Sequence, residues 1–402
     1  MRVALVAPLV SAIAQPYLGG AQALLADLAQ GLLHRGHSVT LFARNESFVP
    51  GIDIEAVNVS GDIRPASFSG EEQPADTSFF TQANLFLDLF LQLQRRSAEF
   101  DVIHVHAFDW PAYACSSLIH DIPVLHTLHL PAVSPEINTA LRVLHQQGHP
   151  LMLITVSHAC AGTYLEYTPI DAVIYNGLDL EAIPFSPQPS KEAPLLFAGR
   201  IAPEKGVEAA IEIAAMAGYR LLIAGGIYDR EYFTERIWPK LQEAGERVTY
   251  LGQLQRLALW KIMGQSLGLL FPIEWDEPFG LTAVEAMATG TPVIAYRRGA
   301  MEEIIRHGET GFLVEEGERA HAAALVDDHR LAPGIGELLP DHPRERIRPG
   351  TDDKADGFRG IVLRKGVSPG DRCERQPRCE FHCAPRRPQS FARRSSPPAV
   401  VT

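Results

Sequence analysis

Leu195-Leu196-Phe197-Ala198-Gly199-Arg200-Ile201-Ala202-Pro203-Glu204-Lys205-Gly206 is the stretch that decides the fold. Four apolar residues in a row suit a strand buried on both faces of a parallel sheet. A glycine follows at once, then a loop with two cations, then helical spacing over 206–217. A strand that passes through a glycine loop into a helix is the repeating unit of doubly wound parallel sheets. In such sheets ligands bind beyond the carboxyl ends of the strands. Arg200 and Lys205 fall there. Two cations beside a helix N-terminus suit a diphosphate; the plainer alternative is a pair of solvated loop cations.

The same alternation runs along most of the chain. Val3–Ala7 reads as a strand, and Ala21, Leu24, Leu25, Leu28 and Leu32 recur at helical spacing up to Gly36. Ser38–Phe42, Val102–Val105, Val124–Leu128 and Leu151–Val156 read as further strands, with a helix marked by Leu85, Leu89 and Leu93. Pro184-Phe185-Ser186-Pro187-Gln188-Pro189-Ser190 carries three prolines and reads as a linker. Beyond it, Leu221–Ala224, Val248–Leu251, Leu267–Phe271 and Val293–Ala295 are strands, with helices near 206–217, 254–263 and 280–288. The expected architecture is α/β throughout. One doubly wound domain spans 1–183, a linker spans 184–190, a second domain spans 191–330, and a segment of different character spans 331–402. A chain of 402 residues exceeds what one hydrophobic core supports. Two such domains face each other across a cleft.

A second motif belongs to that cleft. Glu277-Pro278-Phe279-Gly280-Leu281-Thr282-Ala283-Val284-Glu285 follows the strand ending at Phe271 and opens a helix. A carboxylate accepts two hydroxyls at once, which suits a ribose or hexose diol. The N–H groups near Phe279, Gly280 and Leu281 lie at a helix start, where phosphate oxygens bind. The plainer alternative makes Glu277 a helix cap and Glu285 a solvated helix residue.

Charge narrows the function classes. The net charge is −12, from 36 Lys+Arg against 48 Asp+Glu. That balance excludes a general nucleic-acid binder, which needs a basic footprint. Residues 1–183 hold 7 Arg, no Lys and 18 acids, which does not suit strong attraction to anionic lipid. No apolar run approaches the ~18 residues of a membrane span, so stable membrane insertion is not expected. The N-terminus lacks a clean signal-peptide pattern, and Cys115 and Cys160 read as buried thiols of a reducing compartment, so the expected location is cytoplasmic.

Taken together, the Gly199-Arg200…Lys205-Gly206 loop and the Glu277…Glu285 pair resemble retaining glycosyltransferases of family 4, which have the GT-B fold. Gly19-Gly20 after the first strand, Asp101-Val102-Ile103-His104-Val105-His106, Thr127-Leu128-His129, Thr155-Val156-Ser157, Ile174-Tyr175-Asn176-Gly177 and Tyr250-Leu251-Gly252-Gln253-Leu254 agree in order and spacing. The resemblance covers roughly residues 1–330. It implies two Rossmann-like domains and transfer of a sugar from a nucleotide-sugar, a UDP-sugar, to a small-molecule, glycan or lipid-linked acceptor. It implies retention of configuration and no cofactor or metal.

By the same resemblance, Arg200 and Lys205 neutralise the diphosphate, Glu285 holds the ribose and Glu277 contacts the donor sugar. The backbone at Gly199 and at Phe279, Gly280 and Leu281 meets phosphate or sugar. The turn Gly252, Gln253 and Leu254 lies by the base. Gly19 and Gly20 approach the donor phosphates on closure. His129 sits near sugar and acceptor, with His106 as a further candidate. His104 and His126 read as structural. Acceptor choice is expected from the loops at 8–18, 60–80 and 130–148.

The last segment departs from the family. Residues 341–402 hold 14 basic and 8 acidic residues, with prolines and no helical spacing. Such composition does not bury enough apolar surface to fold. It reads as a frameshifted end or a basic extension in place of the family's closing helices. Cys373, Cys379 and Cys383 lack a paired Cys-x2-Cys knuckle for zinc. Two hypotheses therefore compete: an active glycosyltransferase, and an inactive nucleotide-sugar-binding relative. A nicotinamide oxidoreductase is disfavoured, because the first strand does not lead to a tight Gly-x-Gly-x-x-Gly turn.

Overall fold

The computed structural model describes residues 1–59, 77–186 and 192–326, all within one compact unit. Its first sheet comprises β1 (Arg2–Val6), β2 (Ser38–Arg44), β3 (Asp53–Val57), β4 (Val102–Val105), β5 (Val124–Leu128), β6 (Leu151–Thr155) and β7 (Ala172–Val173). Its second comprises β8 (Leu195–Ala198), β9 (Leu221–Ala224), β10 (Val248–Gly252), β11 (Leu269–Phe271), β12 (Val293–Tyr296) and β13 (Gly311–Val314). The strand orders are β3-β2-β1-β4-β5-β6-β7 and β10-β9-β8-β11-β12-β13. Every neighbouring pair is parallel.

Both orders reverse direction beside their first strand, between β1 and β4 and between β8 and β11. At such a reversal the loops of adjacent strands leave toward opposite faces and open a crevice. The Gly19-Gly20 loop follows β1, and His106 follows β4. The Gly199–Gly206 loop follows β8, and the stretch up to Glu277 follows β11. Two Rossmann-like domains thus bring both pairs of motifs to reversal points. The central strands β4, β5, β6, β8 and β11 are buried at every residue; β8 and β11 are unbroken apolar runs, while β4 and β5 also bury His104, His126 and Thr127.

Three strands escape the apolar-run reading. Strand β3 has a mixed, half-exposed sequence at the sheet edge, β7 is two residues long, and Gly311–Val314, which opens on a glycine, is the buried edge strand β13. The expected acceptor loop at 130–148 is largely a helix, Pro135–Gln146. Ser134 caps it by accepting from the Ile137 N–H at 3.3 Å, Pro135 occupies its first turn, and Ile137, Leu141 and Leu144 face the core. Of the loop expected at 60–80, residues 60–76 lie outside the described residues, and Thr77 starts the helix Thr77–Arg95. Residues 187–190 of the linker, residue 191 and the whole 331–402 segment also lie outside them. The last described helix, Arg319–Val326, packs on Val207–Ala217, with Arg319 paired to Glu212. Among the described residues no helix is long and apolar enough to cross a membrane.

The two domains touch through polar and apolar contacts. Val156 and Leu178 join the apolar cluster of Phe279, Ala300 and Ile304. Glu303 accepts from the His158 and Ala159 N–H groups at 2.9 and 2.5 Å and from the Tyr175 hydroxyl at 2.8 Å. It thereby satisfies the first N–H groups of the helix His158–Thr163, while Ser157 accepts from Cys160 N–H. Glu303→Ala removes three charge-assisted hydrogen bonds and should lower stability by about 2 kcal/mol. A urea midpoint unchanged from wild type would show that this junction contributes nothing.

Candidate active site

The β8 loop is seated by glycine. Gly206 has φ +69°, and a Cβ there would overlap the Pro272 carbonyl of the loop after β11. Gly299 has φ +54°, and a Cβ there would overlap the Glu277 backbone. Only glycine combines that conformation with that contact. Three loops therefore meet backbone to backbone around Glu277.

This packing brings Lys205 and Glu277 together, 72 residues apart in sequence. Lys205 Nζ donates to Glu277 Oε2 at 2.7 Å, and Trp275 Nε1 donates to the same oxygen at 2.8 Å. The ammonium also stands 4.7 Å from the Trp275 ring centre. The sequence reading gave Lys205 to phosphate and Glu277 to sugar; in this structure the two side chains hold each other. Arg200 lies over the Tyr228 ring at 4.5 Å and pairs loosely with Glu204 at 3.5 Å. Neither cation is a freely solvated loop residue, since their side chains are 19% and 14% exposed.

Glu285 is also buried, at 6% exposure. The helix it belongs to, Leu281–Thr289, is capped by Gly280, without a side-chain cap. The plainer reading of this motif, with Glu277 as cap and Glu285 solvated, therefore does not hold. Glu285 Oε1 accepts from Arg256 Nε at 2.8 Å. Burial raises the Glu285 carboxyl above its ordinary range, against the pull of Arg256.

Across the cleft, Gly20 packs on Leu281, since a Cβ at Gly20 would lie 3.5 Å from Leu281 Cδ2. The Gln253 amide donates to the Pro16 and Tyr17 carbonyls at 3.3 and 3.0 Å. The glycine loop of the first domain is thus closed over the second domain's helix start and its Gly252–Leu254 turn. Gly19 caps the helix Gly20–His34, and Gly199 N–H donates to Ala224 O at 2.9 Å. A cleft of about 250 Å³ is lined by Pro131, Ala159, Cys160 and Thr163 on one side and Asp276, Glu277 and Gly299 on the other.

His129 does not line that cleft; it stands two positions before Pro131. Its Nε2 is 2.9 Å from His106 Nδ1, and His106 Nε2 is buried without a partner among the described residues. His104 bonds Thr127 Oγ1 at 2.7 Å, and His126 bonds Ser116 Oγ at 2.6 Å and stacks on Tyr113. Those two have the structural surroundings expected of them. Burial lowers His104 and His126 to about 3, His129 to about 4, and His106 well below its ordinary value.

These histidines are neutral when folded and take up protons when unfolded below about pH 6.5. Their contribution to stability is therefore complete above that pH and is lost as pH falls toward 4. Asp109, fully buried and pushed up to about 7, acts oppositely in the same window. His126→Phe keeps the ring stack and removes one titrating group. The fall in Tm between pH 6.5 and 4 should be shallower by about one proton's worth than in wild type. Parallel curves would place His126 outside the acid response.

The sequence reading does not single out Tyr228, Arg256 and Trp275, which hold Arg200, Glu285 and the Lys205–Glu277 pair, or Asp27, which holds Arg256. None belongs to a quoted motif. Asp109 had a readable signal, a carboxylate just past a strand end before Trp110-Pro111.

Residues 18–182 match the family model described as Glycosyltransferase Family 4, and residues 180–329 match Glycosyl transferases group 1. The glycogen synthase of Mycobacterium tuberculosis is 28% identical over 276 residues, covering 63% of this chain; the chain spans 65% of that relative's length. The D-inositol 3-phosphate glycosyltransferase of Acidothermus cellulolyticus is 25% identical over 389 residues, 85% of each chain. The crystal structure of Anabaena HepE in complex with UDP-glucose shares the fold at a TM-score of 0.67 and 20% identity, covering 91% of this chain and 100% of that one.

Proposed function

Since this chain belongs to the GT-B glycosyltransferases of family 4, we propose that it moves a sugar from a UDP-sugar to a hydroxyl acceptor, with retention and without a metal. The supporting observation is the Lys205–Glu277 pair at the reversal point of the second sheet, with Glu277 on the wall of the cleft. Arg200 and Lys205 neutralise the diphosphate with the Gly199 backbone beside them. Phe279, Gly280 and Leu281 present a helix start to phosphate or sugar, and Gly19 and Gly20 close over it. Gly252, Gln253 and Leu254 border the base, and Glu285 holds the ribose. Glu277 holds the sugar beside the reacting carbon. His129, supported by His106, serves the sugar and acceptor side.

In the reaction the bond from the anomeric carbon to the diphosphate oxygen breaks. The acceptor oxygen forms its bond on the same face, and the acceptor proton passes to a departing phosphate oxygen. Negative charge grows on the leaving group, so fixed cations and N–H dipoles stabilise the transition state without reorganising. Neutral imidazoles at His106 and His129 can accept or donate a hydrogen bond without adding charge. The acceptor is a small molecule, a glycan or a lipid-linked compound.

The test incubates the protein with UDP-glucose and other UDP-sugars in EDTA, with and without candidate acceptors. UDP release and an α-linked product are followed by NMR. Nucleotide binding without sugar release or transfer would favour the inactive relative. An inverted product, or turnover only with metal, would overturn that part of the reading.

A further inference from the structure

Arg256 opens the helix Arg256–Gln265, four positions past Gly252. Its guanidinium is gripped from both domains. Nε donates to Glu285 Oε1 at 2.8 Å, and Nη1 donates to both carboxylate oxygens of Asp27 at 2.8 and 2.7 Å. One face lies 4.7 Å from the Trp260 ring centre, and the side chain is only 10% exposed. Nη2 is buried and has no hydrogen-bond partner among the described residues.

A guanidinium is a rigid planar fork, and Nη2 shares one edge with Nε and the other with Nη1. A glutamate on the Nε edge ordinarily takes both donors of that edge. Here Glu285 takes Nε alone. A buried N–H of a cation without an acceptor is costly, so the arrangement is completed by an oxygen next to the Glu285 carboxylate. A vicinal diol supplies one. A hydroxyl both donates and accepts, so one hydroxyl can donate to Glu285 while its neighbour accepts from Nη2.

We propose that Arg256 is a ribose-reading residue: its Nη2 donates to one hydroxyl oxygen of the nucleotide's diol while the other hydroxyl donates to Glu285. Asp27, from the opposite domain, is the positioning residue that fixes the guanidinium. The inference rests on the reading of Glu285 as the ribose glutamate.

The experiment measures binding of UDP, 2′-deoxy-UDP and 3′-deoxy-UDP by calorimetry to the full chain and to Arg256→Lys and Arg256→Gln. Wild type should prefer UDP over each deoxy analogue by about 10-fold or more. In both variants the preference over one analogue should collapse to within about threefold, while the preference over the other survives through Glu285. Arg256→Lys keeps a charge between the two carboxylates, so it reads the missing fork even where Arg256→Gln fails to fold. Asp27→Asn should weaken the same single preference in part. Preferences unchanged in the Arg256 variants, or all three nucleotides weakened equally, would overturn the role of Arg256 and leave Glu285 standing. A wild-type chain that binds none of UDP, ADP and GDP would overturn the functional reading and this inference with it.

Discussion

Lys205→Ala should cut sugar transfer by about 10²–10³-fold, the usual effect of removing one preorganised group that stabilises a leaving charge. The fall belongs mainly in kcat, because diphosphate charge is greatest when the glycosidic bond has broken. Lys205 is also the partner of Glu277, at 2.7 Å, so its removal loosens the sugar-side carboxylate as well. Glu277 keeps Trp275 Nε1 as a second donor, which limits that indirect effect. Lys205→Arg separates the two: it restores the charge but not the contact geometry, so partial recovery is expected. Arg200→Ala should show a smaller loss of the same kind. Wild-type kinetics in both alanine variants, measured by UDP release, would remove the diphosphate from this loop.

Glu277→Gln and Glu285→Gln should split kinetically. Glu285 lies at the nucleoside end, where contacts are equal in the ground and transition states, so its loss should raise the donor KM about 10-fold with kcat nearly unchanged. Glu277 lies by the sugar and should lose about 10²-fold in kcat with little change in KM. Both amides preserve volume, and Arg256 keeps Asp27 as partner in Glu285→Gln. The opposite split, measured with one donor under saturating acceptor, would exchange the two roles.

The strand-to-loop units at β8 and β11 were legible because each central strand is an unbroken apolar run ending in glycine or proline chemistry. The helix Pro135–Gln146 carries an equally legible signal in Ser134, Pro135 and its apolar positions, although the sequence reading expects a loop there. Strand β3 was not legible, because an edge strand with one wet face has no apolar run to show. At the site, the residues that meet substrate under the proposed function stood out by motif. Those that hold them did not. Asp27 and Arg256 are 229 positions apart, and only the meeting of two domains makes them partners. Local sequence cannot encode such a pair as a pattern.

Gly206 and Gly299 give the site an unusual profile under mutation. Neither has a side chain to lose, yet each is a point where two loops touch through bare backbone around Glu277. In a library of all single substitutions selected for function, both positions should be stripped of every alternative, as severely as Lys205 or Glu277. Gly148 and Gly308 share the left-handed backbone but face open space, so asparagine should survive there. The genetic footprint of the site therefore extends beyond its chemical one, to positions that no scan confined to polar residues would visit.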